Sequence, residues 1–197
     1  MTTDTDTIAR AAARLIAVGR ATSIDEAIHR VMDGMPPGSR PPGHGRVRQH
    51  LQGMSMQRLG LEPYKDRQRA VLESIEELLS VFVDLANDVE PIVVGRAARR
   101  LFDGPMTVHI RLYTDMPMQE IIELLEMHDT VIVSTSTVDT RHGQLNRITV
   151  ELDESIDVAL TRCPMSIHHE MSRHLLTGAA IETATVRDVR RWLGDAS

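Results

Sequence analysis

His109 and Arg111 sit one residue apart in the run TVHIRLYT. In an extended chain alternate residues share a face, so both groups project to one side while Val108, Ile110 and Leu112 project to the other. Two positive groups at that spacing suit an anion, and a guanidinium matches the paired oxygens of a phosphate or carboxylate. Upstream, IVVGRAARRLF places Gly95 and Arg96 at the end of an apolar run. A glycine turn that opens a short helix there offers backbone N–H groups to an anion. Downstream, Asp157 stands between Ile156 and Val158, a carboxylate framed by apolar residues. It is either part of the same cleft or the ion partner of Arg111 on a salt-bridged sheet face.

Other reactive residues fit their chemistry less well. HHEMSRH invites comparison with His-Glu-x-x-His zinc enzymes, but His174 falls five residues after His169. That swings it about a third of a turn out of line on a helix. Cys163 precedes Pro164, and alternation sets the neighbouring Arg162 on the opposite strand face, which describes a buried structural thiol. Arg40, Arg46 and Arg48, and again Arg96, Arg99 and Arg100, form basic stretches, yet few aromatic residues accompany them for base stacking. Nucleic acid is therefore a minor option. RHGQLNRITV has a basic hairpin tip with Arg141, His142 and Arg147 around the turn at Gly143, placed to cap the same cleft.

These residues need elements to hold them. Ile8 to Val18 and Ser23 to Gly34 read as two helices, the second opened by the Ser23/Glu26 capping box. MPPGSRPPGHG, with four prolines and three glycines, blocks regular structure. A short helix follows, and then a long one that begins near Pro63 with the stripe Val71, Leu72, Ile75, Leu78, Leu79, Phe82 and Val83. From Pro91 the period changes. IVV is a buried strand ending at Gly95, RAARRLF a short helix stopped by Asp103-Gly104-Pro105, and TVHIRLYT a strand. Asp115 is placed to cap the helix MPMQEIIELLEMH. VIVSTSTV and LNRITVEL pair as a hairpin, and a turn at Asp153-Glu154-Ser155 leads to the strand IDVALTRC. TATVRDVRRWLG closes the chain as a capped helix.

Composition bounds the rest. At 197 residues the expected organisation is an N-terminal helical region (1–34), a linker (35–45) and one α+β domain (46–197). A net charge of -6 argues against a protein that coats nucleic acid through a broadly basic surface. One cysteine excludes an internal disulfide framework. The start MTTDTDTIAR lacks a basic, apolar leader and no apolar run spans a bilayer, so a cytoplasmic protein with no membrane partner is expected. Eleven methionines, Met54 and Met56 among them, fill a core poor in aromatics or serve an interface. The short N-terminal helices must pack on the rest of the chain or on another copy, which points to a homodimer or a protein partner.

The order helix, glycine-ended strand, short helix, strand, helix and then several strands resembles the palm of the polymerase-β-like nucleotidyltransferase superfamily, from Tyr64 to Cys163. The resemblance implies an α+β fold with a mixed sheet. It also implies a triphosphate held at a Gly-Ser or similar pair, two Mg2+ ions gripped by two carboxylates one residue apart on the next strand, and a third carboxylate on a later strand. The matching positions here are Gly95 with Arg96, His109 with Arg111, and Asp157. At about 4 Å and an effective dielectric near 20, a unit charge and a divalent ion interact by roughly 8 kcal/mol, so arginine for aspartate turns attraction into repulsion. The expected function is that of a catalytically degenerate nucleotidyltransferase-like pseudoenzyme, a binding or regulatory module. Its ligand is a nucleotide or other phosphate compound, held by Gly95, Arg96, His109, Arg111 and Asp157 without a resident metal. Two alternatives stay open: a divergent active nucleotidyltransferase in which Asp115 and Asp157 hold Mg2+, and a structural or protein-interaction homo-oligomer with no small ligand.

Overall fold

In a computed structural model of the chain, the described residues are 5–21, 23–85, 88–100, 102, 106–153 and 156–195. They divide into two units, one running to Arg67 and the other built from Gln68–Phe102 and Met106–Ser197.

Small side chains make the first unit. α1 (Thr5–Ala17) buries Ala9, Ala12, Ala13 and Ile16, a face slim enough for α2 (Ile24–Met32) and α3 (His44–Leu59) to pack closely through Ala27, Ile28, Val47 and Leu51. Gly19, at φ +70°, ends α1 in the left-handed conformation, with its N–H on the Ile16 carbonyl at 2.9 Å. The capping box forms as its spacing predicts: Ser23 Oγ accepts from the Glu26 N–H at 3.1 Å. Ring nitrogens of His44 and His50 pair with Asp25 and Asp6 at 2.8 and 3.0 Å, tying α3 to α2 and α1. The proline-rich stretch 35–45 thus connects two helices of one unit, and the division falls later, within α4 (Leu61–Leu85).

In the second unit, α4 buries Val71, Leu72, Ile75, Leu78, Leu79 and Phe82, while Val83 turns outward at 38% exposure. β1 (Glu90–Val94) ends at Gly95, and the expected short helix shrinks to a 3-10 turn, Ala97–Arg99, closed by the left-handed Arg100 at φ +60°. The Asp103-Gly104-Pro105 stop lies outside the described residues. β2 (Met106–Tyr113), α5 (Met118–Met127), the hairpin β3 (Ile132–Thr140) and β4 (Gly143–Asp153), and β5 (Ile156–Cys163) follow. Glu154 and Ser155 of the expected turn before β5 also fall outside the described residues. A second 3-10 stretch, Met165–Glu170, and an irregular run lead to β6 (Thr183–Thr185) and α6 (Val186–Asp195).

Asp115 does not cap α5. The cap position is Pro117, which lacks a side-chain bond, whereas an Asp115 carboxylate oxygen accepts from the Met165 N–H at 3.3 Å and ties two loops together.

The fold is α+β, with a mixed open sheet of six strands in the order β3-β4-β5-β2-β1-β6. β2 and β5 run parallel, and the other neighbours are antiparallel. One face packs on α4, α5 and α6 around Val108, Ile110, Leu112, Ile148, Val158 and Leu160. The opposite face carries a smaller apolar patch, Ile92, Val94, Tyr113, Leu145 and Cys163, covered by Ile167, Met171, Leu175 and Ile181. Those four covering residues come from the crossing segment between β5 and β6. No described helix is long and apolar enough to cross a membrane.

Candidate anion site on the sheet

Strand alternation builds the floor of the site. Val108, Ile110 and Leu112 enter the core on the helical side, and His109, Arg111 and Tyr113 therefore face the crossing segment. Register then sets Ala159 beside His109, Thr161 beside Arg111 and Cys163 beside Tyr113. On the far side of β5, Thr161 is also the register partner of Arg147. Two guanidinium groups thus flank one threonine on the same face, on strands two apart, with their backbones roughly 10 Å from each other.

Between this floor and the crossing segment lies a cavity of about 380 Å³. Its polar wall is His109, Arg111, Arg147, Thr161 and His174, and its apolar wall includes Val138, Leu175, Leu176 and Ile181. Neither aspartate nor glutamate lines it among the described residues.

Arg111 is buried, with 4% of its surface exposed. Its Nη1 donates to the Met171 carbonyl at 3.0 Å and to the Tyr113 hydroxyl at 3.4 Å. Both acceptors are neutral. Arg147 donates from Nε to Thr161 Oγ1 at 3.2 Å, again a neutral partner. Burial lowers the pKa of Arg147, and a guanidinium stays charged in proteins. His109 is exposed by its surface area, yet loss of part of its surrounding water lowers its pKa first, and the charges of Arg147, His174 and Arg111 lower it further. At His174, Nδ1 accepts the backbone N–H groups of Leu176 and Thr177, each at 3.3 Å, so a neutral ring carries its proton on Nε2. Among the described residues, the pocket holds two guanidinium groups and two imidazoles, and no carboxylate lines it. An oxyanion would satisfy them.

Of the five residues expected to bind a ligand, the cavity gathers Gly95, His109 and Arg111. Gly95 turns with φ +74°, and its N–H is taken by the Glu182 carbonyl at 2.9 Å, so that donor serves the join to β6. Arg96 does not line the cavity. Asp157 stands at the start of β5 beside Thr107, four residues before Thr161, and is neither in the cavity nor the ion partner of Arg111.

Register also sets Asp115 and Asp157 apart along the strands. Eight residues separate Thr107 from Asp115, roughly 26 Å of extended chain. Mg2+ asks for several oxygen ligands, which a wall of arginine and histidine does not supply. Among the described residues no group of three or more His, Cys, Asp or Glu side chains is arranged to hold a metal ion.

Asp115 lines a separate, acidic hollow of about 540 Å³ with Asp88, Glu90 and Glu120. Its groups are partly committed: Glu90 pairs with His168 at 2.8 Å, and Asp115 accepts from Met165. The basic hairpin tip has another use as well. Arg141 pairs with Glu170 and donates its backbone N–H to the Leu175 carbonyl, which pins the crossing segment.

Thr161 and His174 were not placed in the site by sequence reasoning, and Arg147 was expected only at a hairpin tip capping the cleft, not in its floor. Alternation along β4 carries the signal for Arg147, since it shares a face with Leu145; the fold-back that delivers His174 has no such periodic mark. Compared with protein-family models and with curated proteins, the chain matches none.

Proposed function

We propose that the second unit is a binding or regulatory module for a small phosphate-bearing ligand, without metal-dependent nucleotidyl transfer. One observation carries this reading: Arg111, only 4% exposed, makes its hydrogen bonds to neutral acceptors while Arg147, His109 and His174 line the same cavity. A buried cation without a counter-ion costs several kcal/mol, and a bound oxyanion offsets that cost. The cavity volume falls in the range of small-molecule sites. Leu175, Leu176 and Ile181 offer an apolar surface to the body of such a ligand. The resemblance to nucleotidyltransferases rests on the order of a long helix, a glycine-ended strand, a short turn, a strand and a helix, and makes a nucleotide the first ligand to try.

The experiment is a thermal-shift titration with inorganic phosphate, sulfate, ATP, GTP, CTP and UTP, each with and without Mg2+. A ligand that binds only the folded state raises its apparent stability. A metal-independent shift that disappears in Arg111→Met supports the module. A shift that requires Mg2+ and is lost in Asp157→Ala would favour an active transferase instead, and no shift with any oxyanion would end the reading.

A further inference from the structure

The two edges of the sheet are unequal. β6 is an edge of three residues, Thr183–Thr185. β3, at the other edge, runs for nine residues and is exposed along most of its length. Sheet edges are normally blunted by lysine, proline, covering segments or very short length, because unpaired N–H and C=O groups recruit another strand. β3 has little of this. From Thr130 to Val138 the sequence is TVIVSTSTV, with no charge and no proline, in a chain whose residues are 25% charged. An irregularity between Ile132 and Ser134 breaks the register at one end only. The run from Ser134 to Thr140 pairs regularly with β4. Beside it, Val131 and Val133 are 59% and 55% exposed.

Backbone alternation says which groups are free. The hairpin closes on the pair Thr140↔Gly143, so even-numbered residues from Ser134 upward direct their N–H and C=O toward β4, and Thr135, Thr137 and Asp139 direct theirs outward. We infer that β3 is a dimerisation edge, on which β3 of a second copy pairs antiparallel about a two-fold axis and joins two six-stranded sheets into one. Self-pairing fits this segment because a two-fold centred on Thr135 or Thr137 sets neutral or oppositely placed residues against each other and never brings Asp139 against itself. Centred on Thr135, it lays β-branched Val133 against Thr137 of the second copy, and this removes exposed valine from water. This inference does not depend on the anion cavity.

Sedimentation velocity on the full chain tests it, over a roughly hundredfold range of concentration so that a mass-action dimer is caught. Thr135→Pro removes an outward N–H and leaves the β3–β4 ladder its bonds, since proline is tolerated where an edge N–H faces solvent. Thr135→Lys places a charge at the same point and serves if the proline variant fails to fold. The expected result is a wild-type dimer and monomeric variants that retain the circular dichroism of the folded chain. A wild-type monomer throughout, or a dimer that both folded variants preserve, overturns the inference.

Discussion

Arg147 donates from Nε to the hydroxyl of Thr161 at 3.2 Å, across a register pair of β4 and β5. Thr161 is also the register neighbour of Arg111 on β2, so one buried hydroxyl stands between the two guanidinium groups of the site. Thr161→Val keeps the shape and removes the acceptor. The expected cost is about 1 kcal/mol of stability, by urea denaturation, from one lost hydrogen bond. Sulfate affinity should also fall several-fold, since Arg147 is no longer held in place, and an unchanged affinity would show that Arg147 needs no such support.

Arg111→Met separates binding from folding. Methionine fills much of the same space without charge, and it removes the desolvation cost of a buried cation, on the order of several kcal/mol. The unliganded variant should melt at or above the wild-type temperature, and sulfate or phosphate should no longer raise it. Differential scanning calorimetry with and without sulfate reads both effects.

The histidine gives a pH signature. His109 has its pKa lowered from the ordinary value of 6.5, chiefly by burial and then by Arg147, His174 and Arg111. Between the lowered value and 6.5 the unfolded chain binds more protons than the folded one, so stability is complete above 6.5 and declines as pH falls through that window. A bound dianion favours the charged ring, so sulfate should bind more tightly as pH falls from roughly 7 to 5, the range in which histidine titrates. His109→Gln should flatten both dependences. Thermal melts across that range, with and without sulfate, provide the check.

Cys163 should be inert in the native protein. It is fully buried, and burial pushes its thiol up to about 11 despite Arg111 and Arg162. Because the thiolate is the nucleophile, Ellman's reagent should label it slowly in buffer and rapidly in guanidinium chloride. Rapid native labelling would mean that the segment after β5 opens readily.

Much of this was legible in local patterns. Period-2 alternation placed Val108, Ile110 and Leu112 in the core, and the Ser23/Glu26 spacing placed the start of α2. Those signals are local, and so they survive without tertiary information. The site was half legible for the same reason: His109 and Arg111 announced a shared face, but what stands opposite a strand face is decided by register. Asp157 has the right parity to share the face of Arg111 and the wrong height along β5. Arg147 looked like part of a hairpin tip, whereas the turn falls at Arg141 and His142 and puts Arg147 in mid-strand. The segment over the cavity has no repeating pattern. Its path is held by the long-range bond of Arg111 to the Met171 carbonyl and, within the segment, by the Ile181 N–H on the Ser172 carbonyl.

The strand order β5-β2-β1-β6 has a mechanical meaning for that segment. It leaves the sheet from β5 and rejoins it as β6, with β2 and β1 between, so it bridges the two strands that carry Arg111 and the Gly95 turn. A bridge fixed at both abutments can bow upward but cannot swing aside like a free tail. The ion pair of Arg141 with Glu170 is one tie on that span, beside the Arg141 N–H on the Leu175 carbonyl and the Arg111 bond to the Met171 carbonyl. Cutting that tie should change how fast a ligand comes and goes more than how tightly it is held.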